Sequence, residues 1–277
     1  MSTIKVGQEN STAIELYYED HGQGRPVVLI AGYPFDSTSW ERQTATLVEA
    51  GYRAITYDRR GFGRSSRPAS GYGFNTLAAD LDALLTALDL REVSLVGYSM
   101  GTGEIARYIA RYGTARVRRA VLIGTIGPYL LKTADNPEGV NPSVFEDLKA
   151  AIRQDRAAFL FSLIQNTFNF DEFGGTLVSE RVIEQLWNNA VQASPFAALQ
   201  SIDAWIEDFR QDLPCNEVPT LILHAGDRDR VLPPDATSRR HAKLLKNGRF
   251  VEFADAPHFI PWTHADRVNE ELLAFLR

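Results

Sequence analysis

The sequence predicts an α/β fold on a mostly parallel central sheet, with an N-terminal antiparallel hairpin and a helical cap inserted late in the chain. Three observations carry this. From about residue 26 to 124, short apolar runs alternate with amphipathic helical stretches, which is the pattern of a parallel sheet covered by helices. The alternation then stops, and residues 128–213 hold helical periods with no convincing strand. After Pro219 the strand-like run TLILHAG resumes it. A helical block between two strands of one sheet reads as a cap over the active face, within a single domain spanning residues 1–277.

Each element has its own signal. IKVGQ and AIELYYEDHG flank the turn-rich ENST and read as a hairpin. VVLIAG is a short apolar run ending in glycine, typical of a strand buried on both faces. WERQTATLVEAGY has helical spacing and stops at Gly51; RAITYD is the next strand, followed by the loop RRGFGRSSRPASGYG. TLAADLDALLTALDL sets Leu77, Leu81, Leu84, Leu85 and Leu88 on one side of a helix. EVSLVGYS is a strand, MGTGEIARYIARYG a helix and RAVLIG a strand. The cap helices are PSVFEDLKAAIRQDRAAFLFSLIQ, SERVIEQLWNNAVQ and FAALQSIDAWIEDF. A helix from about Ala236, the strand RFVEF and the helix HADRVNEELLAFL complete the chain.

Composition narrows the function. The 277 residues are 44% hydrophobic and 23% charged, which suits one large globular domain. A formal net charge of −6 argues against nucleic acid or an anionic membrane as partner. Cys215 is the one cysteine, so no internal disulfide forms. MSTIKVGQENS lacks the apolar core of a signal peptide, and no window has the roughly 18 unbroken apolar residues of a spanning helix. A cytoplasmic location is the expectation.

The stretch GYSMGTG, residues 97–103, holds two overlapping signatures. GTGEIA could cradle a dinucleotide pyrophosphate, but that fingerprint needs an acidic residue at the end of the next strand to hold a ribose. That strand ends in Gly124 and Thr125, so Gly101 and Gly103 are expected to serve helix packing instead. The other signature, G-x-S-x-G, becomes informative through its context. A nucleophile elbow comes straight off a strand, opens a helix, and needs tiny residues two before and two after its serine; Gly97 and Gly101 supply them. The helix N-terminus beneath Ser99 aims N–H groups at a developing oxyanion, which makes the Met100 N–H one donor. The elbow further predicts an acid and then a histidine, each in a loop at a strand's carboxyl end. AGDRDRVLPP follows TLILH and offers Asp227 and Asp229; ADAPHFIPW follows RFVEF and holds His258. The other histidines read as structural: His21 in a glycine-rich loop, His224 at a strand end, His241 on a solvated helix, His264 at the start of the last helix. They show no metal-ligand spacing. In the cap, Phe159, Phe161, Phe168 and Phe170 suggest an apolar acyl site, with core packing as the plainer reading of phenylalanines on helices.

GYSMGTG, YDRRGFGRSS, ILHAGDRDRVLP and APHFIPWTHADRVNEELLAFL together resemble the cofactor-free (non-haem) haloperoxidase, perhydrolase and arylesterase branch of the α/β-hydrolase fold, over nearly the whole chain and least sharply in the cap. The resemblance implies a serine esterase that also makes peracids from carboxylic acids and hydrogen peroxide, the peracid then oxidising halide without haem, flavin or metal. It implies Asp229 as the acid, four residues before Pro233, with Asp227 making a local turn. It places the second oxyanion N–H at Tyr33 and associates Pro34 with perhydrolysis. Proline restricts the residue before it, which is expected to hold the Tyr33 carbonyl inward to accept a hydrogen bond from the terminal peroxide O–H. Substrate partners would be a small acyl compound and peroxide, and oligomers are common in the branch. One departure stands out: the branch usually has His-Gly before the oxyanion residue, and this chain has Ala31-Gly32. Two alternatives remain beside the perhydrolase reading, a plain esterase or lactonase using water and a catalytically silent binding protein.

Overall fold

A computed structural model describes residues 2–277. Eight strands form one sheet in the order β1-β2-β4-β3-β5-β6-β7-β8. They are β1 (Thr3–Glu9), β2 (Thr12–His21), β3 (Pro26–Ile30), β4 (Arg53–Tyr57), β5 (Val93–Tyr98), β6 (Val117–Ile123), β7 (Thr220–Ala225) and β8 (Gly248–Phe253). β1 pairs antiparallel with β2 and β2 antiparallel with β4, and every other pairing is parallel. His21 is the last residue of β2, paired with Ala54, rather than part of the loop after it.

The helices are α1 (Glu41–Glu49), α2 (Phe74–Ala87), α3 (Met100–Tyr112), α4 (Pro142–Thr167), α5 (Phe170–Phe173), α6 (Glu180–Ala190), α7 (Pro195–Trp205), α8 (Ser238–Leu244), α9 (Ile260–Thr263) and α10 (Ala265–Leu276). Alternation along the strands splits the core in two. Val28 and Ile30 join Leu81, Leu84 and Leu85 of α2 and Ile105 and Ile109 of α3. Val27 and Leu29 face the other way, into a cluster with Leu160 and Ile164 of α4 and Val268 and Leu272 of α10. The central strands are apolar throughout because both faces are covered; all six residues of β5 and of β7 are buried. Gly103 has the packing role expected of it: a Cβ there would stand 2.7 Å from the rings of Phe74 and Phe209.

Helices α4 to α7 lie between β6 and β7. Their starts are written locally. Asn141, Ser179 and Ser194 each accept a backbone N–H with the side chain, and Pro142 and Pro195 sit in the first turn. The periodicity of residues 142–165 reads as one uninterrupted helix, but α4 breaks at Asp155, with φ −154° and ψ 92°. The Asp155 carboxylate accepts the Ala158 N–H at 2.9 Å, so it caps the second half as a new helix.

The structure overturns the expectation that His241 is solvated. Its ring is buried, with Nδ1 2.9 Å from the Thr125 hydroxyl. α8 is only seven residues long, and its inner face lies against the loop after β6, so exposure could not be inferred from the charged neighbours Arg239, Arg240 and Lys243. Burial lowers the His241 pKa to about 4, and burial is also the main reason that His224 falls to about 4. The unfolded chain therefore takes up these protons first, near pH 6.5, and stability present above that pH is lost as pH falls towards 4. Each ring should withdraw on the order of 2–3 kcal/mol by pH 4. Urea unfolding followed from pH 7.5 to 4.5 should show a falling midpoint below pH 6.5, and less steeply in His241→Gln. A flat profile would contradict the buried neutral rings.

Candidate active site

Ser99 stands between β5 and α3 with φ 50° and ψ −117°, a conformation that non-glycine residues rarely hold unless their surroundings impose it. A Cβ at Gly97 would come 2.7 Å from the Gly101 carbonyl oxygen, and one at Gly101 would come 2.5 Å from that of Ile30. The two glycines are thus required by close backbone approach. Ser99 is the N-cap of α3 and Met100 its first residue, so the Met100 N–H has no acceptor inside the helix and points at the serine end of the dipole.

Two loops from distant parts of the chain converge on this serine. His258 follows β8, and its Nε2 lies 3.1 Å from Ser99 Oγ. On the other side of the ring, His258 Nδ1 donates to Asp229 Oδ2 at 2.7 Å. Asp229 follows β7, and its Oδ1 accepts the N–H groups of Val231 and Leu232 at 2.9 and 2.8 Å. Burial would raise the Asp229 pKa, but His258, His224 and the Leu232 N–H together hold it below the usual carboxylate value. The buried acid is therefore an anion. The ring of His258 is itself fixed by packing, 5.1 Å from the Tyr98 ring, while Phe259 stacks between Tyr98 and Phe35 at 4.7 and 4.8 Å. Asp227, the other loop aspartate, pairs with Arg239 at 2.9 Å on the exposed side.

Tyr33 lies in the turn after β3 and lines the same cavity as Ser99 and His258. The loop touches the elbow: a Cβ at Gly32 would stand 3.0 Å from the Ser99 Cβ and 2.7 Å from the Tyr98 ring. The Tyr33 hydroxyl donates to the Ala198 carbonyl at 3.1 Å, which ties this loop to α7. The Tyr33–Pro34 peptide bond is cis. Pro34 is buried and does not line the cavity.

Sequence reasoning missed the brace of this loop. The Ala31 carbonyl accepts from Arg59 Nη2 at 2.8 Å, and Arg59 Nε donates to Glu104 Oε2 at 3.0 Å. The Tyr57 hydroxyl donates to the other Glu104 oxygen. Asp58, beside Arg59, accepts the Ser37 and Arg64 N–H groups at 2.9 and 2.8 Å. YDRRGFG was legible as a family motif, but nothing in its spacing tells which carbonyl it reaches.

The cavity has a volume of about 560 Å³ counted with its mouth. Ile126, Leu130, Phe145, Leu148, Leu163 and Trp205 make its walls largely apolar, and no Asp, Glu, Lys or Arg lines it. Phe159, Phe161, Phe168 and Phe170 do not line it; Phe168 is fully buried and the other three pack against the main core. The cap residues that line the cavity are others, Phe145, Leu148 and Leu163 among them. What the arrangement can do follows from its parts. Ser99 can give its proton to His258, Asp229 can hold the resulting imidazolium, and the Met100 N–H can meet an oxyanion above Ser99.

Comparison with known proteins identifies the family. The α/β hydrolase fold profile matches residues 25–265. A Synechocystis protein provisionally named a non-heme chloroperoxidase is 51% identical over 277 residues, covering 100% of both chains. A bifunctional esterase/perhydrolase of Acinetobacter calcoaceticus is 34% identical over 267 residues, 95% of this chain and 96% of its own. The crystal structure of a bromoperoxidase from Bacillus anthracis superimposes with a TM-score of 0.94 at 44% identity, over 99% of each chain. The chain belongs to the α/β-hydrolase fold family and, within it, to the non-heme haloperoxidase branch.

Ala31 is 4% exposed within the main core, and its carbonyl is already held by Arg59. A larger side chain at this buried position has no solvent to turn into. Ala31→His should therefore overpack the loop and lower stability by roughly 1–3 kcal/mol, read from urea unfolding. A variant as stable as the wild type and faster on esters would show that the loop lacks a brace.

Proposed function

We propose that this protein is a serine acyl transferase that works as an esterase and perhydrolase, making peracids that oxidise halides. The single observation that carries the reading is the continuous chain Ser99 Oγ–His258 Nε2 at 3.1 Å and His258 Nδ1–Asp229 Oδ2 at 2.7 Å, opening on an apolar cavity. Ser99 attacks the acyl carbon while His258 takes its proton. The tetrahedral oxyanion is met by the N–H groups of Met100 and Tyr33. His258 returns the proton to the leaving group, and the acyl group remains on Ser99. Water then releases a carboxylic acid, or hydrogen peroxide releases a peracid, with His258 as base in either case. From a free acid, the acyl-enzyme forms with loss of water, so the net reaction converts acid and peroxide to peracid and water. The peracid carries the oxidising equivalent to halide, so no redox group on the protein takes part. The relative named a bifunctional esterase/perhydrolase supports the coupling of both activities on this scaffold.

Ser99→Ala should keep the fold and lower ester turnover by about a thousandfold or more, and it should abolish labelling by a fluorophosphonate probe. A wild-type protein that the probe does not label would instead be a silent binding member of the fold. Near-normal hydrolysis by Ser99→Ala would remove the mechanism altogether.

Peroxide at millimolar concentration competes with far more abundant water, so the site must favour it. Pro34 restricts the conformation of Tyr33, and the Tyr33 carbonyl can accept a hydrogen bond from the outer O–H of peroxide, which water cannot offer. Pro34→Leu should lower the ratio of peracid formation to ester hydrolysis, with both rates measured on one substrate. An unchanged ratio would take Pro34 out of the mechanism.

A further inference from the structure

His224 is a buried titratable group that the acyl-transfer chemistry above does not use. It is the fifth of six residues in β7, immediately before the strand gives way to the loop that carries Asp229. Its side chain is wholly inaccessible, and its Nε2 lies 3.3 Å from Asp229 Oδ2. That oxygen is the one that holds His258 Nδ1 at 2.7 Å. Two imidazoles thus share one carboxylate oxygen, while the other oxygen is taken by the N–H groups of Val231 and Leu232.

The ionisation state of His224 follows from its surroundings. The groups that face this cluster are Asp229 and His258, Glu252 on the neighbouring β8, and Tyr98 on β5 beside the carboxylate. Glu252 is engaged by Arg239 at 2.9 Å. Burial is the largest influence and keeps His224 neutral down to about pH 4. A neutral imidazole has one N–H and one lone pair. A lone pair on Nε2 would oppose the lone pairs of an anionic oxygen 3.3 Å away, so the proton belongs on Nε2. Neither ring nitrogen has an aligned hydrogen-bond partner, although the Leu232 backbone carbonyl also lies beside the ring as an acceptor; the contact with Asp229 is a dipole set against a charge rather than a full hydrogen bond.

We infer that His224 is a positioning residue for the acyl-transfer site, its Nε2–H drawing on the Asp229 oxygen that holds His258 and so limiting how strongly Asp229 stabilises the imidazolium. The inference rests on the Ser99–His258–Asp229 reading and adds to it a tuning of its pH range. Without the second N–H, Asp229 Oδ2 would face His258 alone, the Val231 and Leu232 N–H groups being on Oδ1. The imidazolium would then be favoured, and a higher pH would be needed to free the base.

The test is the pH dependence of kcat/KM for a p-nitrophenyl ester. In His224→Phe, which fills the same space without a donor, the midpoint of the acid limb should move up by about half a pH unit. In His224→Gln, whose amide N–H can reach the carboxylate, it should return towards the wild-type value. A fall in kcat with an unmoved midpoint would mean that His224 only packs, and would overturn the inference. A second measurement needs no variant. In protein labelled with 15N-histidine, the nitrogen shifts of His224 at pH 7 should report the Nε2–H form, and an Nδ1–H form would overturn the proposal. Failure of the underlying reading is seen separately, as esterase activity that survives in Ser99→Ala.

Discussion

Ser99 holds a backbone conformation that costs an ordinary residue of order 1–3 kcal/mol, and the rest of the molecule is arranged so that it has no other choice. Its N–H donates to the Ile123 carbonyl at 2.8 Å, which ties the elbow to β6. Its carbonyl accepts both the Thr102 N–H at 2.9 Å and the Thr102 hydroxyl at 2.7 Å. Gly97 and Gly101 let the turn close on itself and on the end of β3. Strain of this kind persists only where packing over-determines it, and six parallel-paired strands with helices on both faces supply that packing.

The same sheet explains why residues 130 and 159 positions from Ser99 along the chain reach it. β7 and β8 lie beyond β6 on the same side of β5, so their carboxyl-end loops converge above the serine. Asp229 is fixed by its own loop through two backbone N–H groups, and the His258 ring packs against Tyr98, on whose ring Phe259 stacks. Phe259 also donates its N–H to the Thr167 carbonyl at the end of α4, so the loop that carries His258 is continuous with the helices over the cavity. The Ser99–His258–Asp229 cluster and the wall of the cavity beside it are therefore held by one connected set of contacts. The buried Arg59–Glu104 pair belongs to that set. Removing either partner would leave a charge in a dry interior, at a cost of several kcal/mol.

What could be read from the sequence was whatever a local pattern encodes. The elbow, the two catalytic-side loops and the alternation of strands and helices each follow from short stretches whose residue types have one physical reading. Three things were not legible. His241 sits among Arg and Lys on a short helix, and only the tertiary packing of that helix shows that its inner face is dry. Of the four phenylalanines singled out in the cap, Phe159 and Phe161 lie on α4 and pack against the core, whereas Phe145, Leu148 and Leu163 of the same helix line the cavity; the break at Asp155 alters which residues share a face. The hold of Arg59 on the Ala31 carbonyl joins residues 28 positions apart through a side chain, and no spacing rule records such a contact.

The central claim is that one acyl-enzyme on Ser99 serves both water and peroxide. It is tested most directly by acid-quenching the protein during turnover of a p-nitrophenyl ester and weighing it by mass spectrometry, with and without hydrogen peroxide. The account predicts one added acyl group, mapped to the peptide that contains Ser99, whose steady-state fraction falls as peroxide rises while peracid appears in step. Peracid formation with no acyl adduct, or an adduct whose lifetime does not respond to peroxide, would contradict it.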